Sequence, residues 1–293
     1  MSTGPTLSQI LQGAAWMTGA ICAFTSMAVA GREINFAHDT FEIMLFRSLV
    51  GIAVVGTIVI LTGRYDDIKT NRVGAHFIRN ICHFAGQNLW FFAVPLIPLA
   101  QLFAFEFTTP IWVLLLSPLL LGEKLTWLGV VAAILGFVGV LMVAQPGSTE
   151  LSWGVLAAAS CAIFFALTAI LTRKLTQDQS ILCIMFYLTL MQAGFGLVAA
   201  GFDGNIKMPT ADTLPWLVLI GFAGLVAHFC LTNALAIAPA TVIMPIDFAR
   251  LPVIAVIGML FYNEPFSLMI IGGAILIFGA NYVNILSTSR KQV

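Results

Sequence analysis

Ionisable side chains stand inside long apolar stretches of this sequence, where charge is expensive. Glu106 and Asp247 are the acids, and Arg47 and Arg250 are bases that would answer them. In lipid such a group marks a solute or ion path, unless it belongs to a buried ion pair. Asp247 and Arg250 are three residues apart and share one face of a helix, so a structural pair is the preferred reading there. Glu106 has no such neighbour. Its candidate partner is Arg47, for which Glu42 is a rival. Glu106 therefore reads either as half of a structural pair or as an acid on a solute path.

A second group lies between residues 76 and 90. His76, Asn80, His83, Gln87 and Trp90 follow one another at steps of four, three, four and three, which puts them on one helix face. A polar stripe of this kind is not turned to lipid, and a cavity lining is expected. His83 titrates in a useful range if solvated, against the plainer role of a hydrogen-bonded structural histidine. Phe103 and Phe107 flank Glu106 on neighbouring turns, and with Trp90 they would wall a pocket, generic packing being the plainer alternative.

The chemistry that is missing narrows the function. There is no GxxxxGK[ST] phosphate loop, no HExxH, and no metal-ligand spacing among the four histidines. No nucleophile motif surrounds Ser26, Ser160 or His228. No cofactor, no metal and no enzymatic activity are expected. An intramembrane enzyme would need His83 and Glu106 to activate a water. A channel would need repeated polar rings.

The elements that carry these residues are membrane helices. The chain is 60% hydrophobic and 9% charged, with a mean hydropathy of +1.00. A soluble domain carries about 25% charged residues. Thirteen basic and thirteen acidic residues cancel, which offers nothing to a nucleic acid. Ten apolar runs are long enough to span: Gln12–Ala30, Thr40–Leu61, Val73–Val94, Pro98–Leu121, Trp127–Ala144, Trp153–Leu171, Ser180–Ala200, Leu214–Ala236, Thr241–Tyr262 and Ser267–Leu286. In lipid, backbone groups must be satisfied within the segment, so continuous runs are helices. The five cysteines all fall in these runs and read as small apolar residues.

The runs repeat. At an offset of 141, Arg32 falls on Arg173, Pro98 on Pro239, Glu106 on Asp247 and Glu123 on Glu264. The face of the third span returns as Leu217, Gly221, Gly224, His228 and Leu231, with His228 opposite Gln87. The chain thus divides into a first five-helix repeat, 1–145, and a second, 146–293, forming one transport unit. Five is odd, so the repeats are inverted, and both acids, about 12 Å into their helices, approach the membrane midplane from opposite sides. Arg64, Lys69, Arg72, Lys124, Arg173, Lys174, Arg290 and Lys291 fall on the side of both termini, against Arg32 and Lys207 on the other. That bias puts both termini in the cytoplasm. Pro95, Pro98 and Pro239 mark hairpins that would serve as hinges, and Pro110, Pro245 and Pro252 lie within spans, where they open the hydrogen-bond ladder. Small residues on the fifth and tenth spans, Gly129, Ala133, Gly136, Gly272 and Gly279, suit close packing or a dimer face. Glu123 and Glu264 read as charges placed ahead of helix N-termini.

A hydrophobic fourth span ending in LLLGEKLTWLG, followed by a glycine-bearing fifth, resembles the EamA unit of the drug/metabolite transporter superfamily, and does so twice over nearly the whole chain. Arg47 in MLFRSLV resembles that family's second-span arginine. The second repeat departs from the pattern, with NEPFS in place of the glycine turn and Leu188 in place of the arginine. The resemblance, which in architecture extends to ten-span exporters of the YddG type, implies an all-α inner-membrane protein with a central cavity lined by the third, fourth, eighth and ninth spans, helped by the first and sixth. It implies a secondary transporter working by alternating access on a small metabolite. Export of amino acids with bulky or aromatic side chains is the expectation, and an uptake or exchange carrier for another metabolite is the alternative. His83, Gln87, Trp90, Phe103, Glu106, Phe107, His228 and Asp247 are the expected cavity residues, and proton exchange through the histidines and acids is chemically available.

Overall fold

A computed structural model describes residues 5–122, 125, 127–144 and 152–264, with 268–269, 271–273, 275–276 and 279–280. All regular structure among them is helical. Helices α1 (Leu7–Ile34), α2 (Thr40–Thr62) and α3 (Val73–Ala93) come first. The fourth predicted span is broken into α4 (Leu99–Glu106) and α5 (Thr109–Leu120), and α6 (Trp127–Ala144) follows. The second repeat opens with α7 (Trp153–Leu175), α8 (Ile181–Ala200) and α9 (Leu214–Ile237). Its fourth span is broken too, into α10 (Ala240–Ile243), a 3-10 stretch over Met244–Ala249, and α11 (Arg250–Tyr262). Much of the tenth predicted span, most of the predicted linker, and Glu123, Lys124, Arg290 and Lys291 lie outside the described residues.

Seven of the described helical segments are long and apolar enough to cross a membrane, and Trp127–Gly139 is a shorter apolar helix. Helix α3 has the length but is not among the seven, because its polar stripe lowers its hydropathy. Leu61, Leu119 and Val198 expose three quarters or so of their surface (80%, 81% and 74%), as fits side chains that meet lipid tails.

Local chemistry follows the repeat. Asp39 caps α2 by accepting the Glu42 amide, and Ser180, 141 residues on, caps α8 by accepting the Cys183 amide. Pro98 precedes α4 at φ −54°, ψ 143°, and Pro239 precedes α10 at φ −57°, ψ 147°. Gly122 holds φ +68°, and the Asn263 that replaces it in the second repeat holds φ +53°. Asparagine is the residue other than glycine that most readily enters this left-handed region, so the missing glycine of NEPFS changes the residue and keeps the turn.

The repeats interlock rather than sit side by side. Helix α1 packs along α9, α3 along α7, and α2 along α8. Each of these contacts joins one repeat to the other. The first two exchange with each other under the 141-residue offset, and the third maps onto itself. Close approach is set by glycines: a Cβ on Gly196 of α8 would lie 2.9 Å from both Cα and N of Leu45 in α2. Gly136 of α6 backs onto the Phe248 ring, so this small residue serves packing within the chain.

Candidate functional site

Both intramembrane acids sit where their helices break. Pro110 lacks the N–H that would bond the Glu106 carbonyl four residues back, and its ring crowds that carbonyl, so α4 stops at Glu106. Phe107, at ψ 2°, and Thr108 turn the chain before α5 begins. In the second repeat Asp247 lies within the 3-10 stretch ahead of Pro252. Irregular backbone at membrane depth is tolerated where protein buries it or where it lines a cavity.

Here it lines a cavity. About 650 Å³ of unfilled space, open mouth included, lies between the repeats. Of the expected residues, His83, Gln87, Trp90, Glu106, Phe107, His228 and Asp247 all border it. Phe103 does not. It is buried behind the wall, its ring 6.0 Å from Trp90 and 4.8 Å from the Arg250 guanidinium. Of the predicted hinge prolines, Pro95, Pro98 and Pro239 stand outside the lining.

Arg250, expected only as a local partner for Asp247, is the centre of the charged end. Its Nη2 donates to Glu106 Oε1 at 2.5 Å and to Asp247 Oδ2 at 2.6 Å. The guanidinium is also 4.9 Å from the Phe24 ring centroid and 5.1 Å from that of Phe107, so aromatic faces as well as two carboxylates stabilise it. Trp90 Nε1 donates to Glu106 Oε2 at 2.6 Å. Both Glu106 oxygens are thereby engaged, whereas Asp247 Oδ1 and Arg250 Nε are buried without a hydrogen-bond partner.

The expected pairing of Arg47 with Glu106 is corrected. Arg47 Nη1 donates to Gln87 Oε1 instead, with Met44 Sδ 3.7 Å away. Glu42 is no rival for it: one oxygen lies 3.1 Å from His38 Nδ1, and the other accepts the Lys207 amide at 2.6 Å. The reason is which helices face each other. The broken segments α4 and α11 pack together and bring Arg250 to Glu106, while α2 lies against α8 and α9.

The stripe on α3 divides. His83, Gln87 and Trp90 face the cavity. His76 stacks on Tyr187 of α8 at 4.7 Å, and Asn80 is held by its own helix and by Gln192, whose Nε2 donates to the Asn80 carbonyl at 2.8 Å. The His83 and His228 rings meet edge to face at 4.4 Å, and none of their four ring nitrogens has a hydrogen-bond partner. Sequence reasoning passed over Arg79, which stands four residues before His83 on the same face and is 1% exposed. That i, i+4 spacing was the available signal. It also passed over Met17, Met27, Phe165 and Met244, which line the apolar wall and carry no periodic mark. Glu264 is more than a charge ahead of a helix: its Oε1 accepts from Arg32 Nη2 at 2.9 Å and from the Leu99 amide at 2.9 Å, tying the repeats together.

The comparisons agree with this architecture. The EamA-like transporter family matches residues 11–145 and again residues 152–286. A riboflavin transporter of Vibrio cholerae is 28% identical over 289 residues, covering 96% of this chain and 96% of its own. An S-adenosylmethionine uptake transporter of Rickettsia bellii is 24% identical over 280 residues, covering 96% of this chain and 95% of its own. A solved crystal structure superposes with a TM-score of 0.78 at 18% identity, over 98% of this chain and 100% of that one, which speaks for the fold. One family match per repeat, on an interlocked helical bundle with a cavity at its centre, places the chain in the inner membrane as a multi-pass protein that belongs to the EamA-like transporter family.

Proposed function

We propose that the protein is a secondary carrier that takes up a small organic metabolite with a conjugated ring, binding it in the central cavity and releasing it on the cytoplasmic side. The observation that carries the reading is the cavity itself, which both repeats line and which meets two helix breaks, one in each. Phe24, Phe107, Phe165 and Trp90 offer ring faces, and the methionines offer a deformable apolar wall. The relatives named above carry riboflavin or S-adenosylmethionine, each of which contains a flat heteroaromatic system. They favour uptake of such a solute over the export of bulky amino acids expected from the YddG-type resemblance. The enzyme alternative loses support, because Trp90 and Arg250 occupy both oxygens of the acid that would have activated water with His83. The ten-span count, the cytoplasmic termini and the division at residue 145 belong to this proposal.

The test is transport by the purified protein in liposomes preloaded with riboflavin, S-adenosylmethionine, aromatic amino acids or nucleosides. A carrier gives saturable flux that unlabelled solute on the far side accelerates. Linear flux without counterflow would indicate a channel, and conversion of a solute without flux would indicate an enzyme. Accumulation driven by an imposed proton gradient would assign the acid cluster a part in coupling.

A further inference from the structure

The buried charges are segregated. At one end of the cavity Glu106 and Asp247 share the Arg250 guanidinium. Behind Gln87, outside the cavity lining, two buried charges are positive and meet no acid among the described residues, and Arg47 borders a separate, smaller pocket against α8 and α9. Arg47 is 6% exposed and bonds Gln87, and Arg79 is 1% exposed and bonds Thr172 Oγ1 and Asn80 Oδ1, both at 3.0 Å. Neither makes an ion pair among the described residues. Gly224 of α9 makes room for this arrangement, since a Cβ there would lie 2.7 Å from Arg47 Nη2.

Two unpaired guanidinium groups in a lipid-embedded bundle are costly unless a counter-charge arrives. A route for one exists. Gln87, which holds Arg47, borders the cavity, and so do His83 and His228. These histidines are buried (1% and 3% exposed) with all their ring nitrogens unpartnered, so each neutral ring has an N–H to offer. Asp247 Oδ1 is the matching free acceptor at the acidic end.

Resting on the carrier reading, we propose that the solute bears an anionic group, a carboxylate or a phosphate, which docks at His83, His228 and Gln87 against the charge of Arg47 and Arg79, while a donor on its other end meets Asp247. The cavity is thus an oriented receptacle. A solute lacking the anion leaves the arginines uncompensated and binds more weakly.

Matched probes test this with the purified full chain: phenylalanine against phenylalaninamide, and a nucleoside 5′-monophosphate against its nucleoside, with affinity read by ligand-induced thermal shift. In the wild-type protein the member carrying the added negative charge should bind at least tenfold more tightly. Gln87→Glu gives Arg47 a carboxylate of its own. That variant should melt no lower than wild type and reduce the preference to within threefold. Equal binding of both members of each pair to the wild type, or a preference that survives Gln87→Glu, overturns the proposal. A variant that fails to fold still leaves the wild-type comparison to decide. Liposome flux separates the two levels: movement of solutes without charge preference removes the anion site and leaves the carrier, whereas absence of flux across the whole panel removes the carrier and the site with it.

Discussion

Arg32 of the first repeat reaches Glu264 of the second at 2.9 Å, and the oxygen that receives it also receives the Leu99 amide at 2.9 Å. One carboxylate thus holds the end of α1, the start of α4 and the end of α11. The Arg32 guanidinium also donates to the Ile97 carbonyl at 3.1 Å and lies 5.6 Å from the Tyr262 ring centroid. Any rocking of one repeat against the other has to break this tie. Removing it should destabilise the protein and change how readily that end opens. Glu264→Ala and Arg32→Ala should each lower the melting temperature in detergent, and a double-mutant cycle should give a coupling of about 0.5–3 kcal/mol. Additive losses would mean that the pair does not work as a unit.

The cluster around Arg250 ranks its own substitutions. Arg250→Ala strands two buried carboxylates and should cost most, on the order of 3–5 kcal/mol. Glu106→Gln disturbs bonds to both Arg250 and Trp90, so it should cost more than Asp247→Asn, which touches one bonded oxygen and one that is already free. Melting temperatures of the three variants give the order. An Asp247→Asn protein less stable than Glu106→Gln would contradict it.

Helix crossing supplies a cleaner comparison. A methyl on Gly196 would meet the Leu45 backbone at 2.9 Å, while one on Gly194 meets nothing within 4 Å. Gly196→Ala should force α2 and α8 apart and cost about 1–3 kcal/mol. Gly194→Ala, two residues away on the same helix, should be neutral or mildly stabilising through helix propensity. Equal effects would show that the α2–α8 contact is not tight in the membrane.

Orientation is accessible to chemical labelling. Cysteines introduced at Lys207 and at Lys69 should differ in intact cells, the first reacting with an impermeant thiol reagent and the second protected. The contacts already set them at opposite ends: Lys207 meets the start of α2 through Glu42, whereas Lys69 follows the end of α2 and pairs with Asp66. The reverse labelling pattern would turn the bundle over.

Much of this molecule was legible one residue at a time. Hydropathy marks helices in lipid because a span must satisfy its own backbone, and that requirement is local. The 141-residue offset located the two acids and the hairpin prolines, because a duplicated fold keeps equivalent residues at equivalent positions. The stripe from His83 to Trp90 was legible because helical periodicity is a property of one segment. Even the helix break at Glu106 was written in the sequence, in a proline four residues downstream.

The partners were not. Nothing in the spacing of Arg47, Glu106 and Arg250 says that Glu106 meets the arginine 144 residues away rather than the one 59 residues before it. That choice depends on which helices the interlocked repeats bring face to face, and α4 meets α11 while α2 meets α8 and α9. The same packing left Arg47 and Arg79 without acids among the described residues, sent His76 and Asn80 into the α8 contact, and moved Phe103 behind the wall. Sequence periodicity fixes the direction of a side chain from its own helix axis, and only the packing of helices decides what stands opposite.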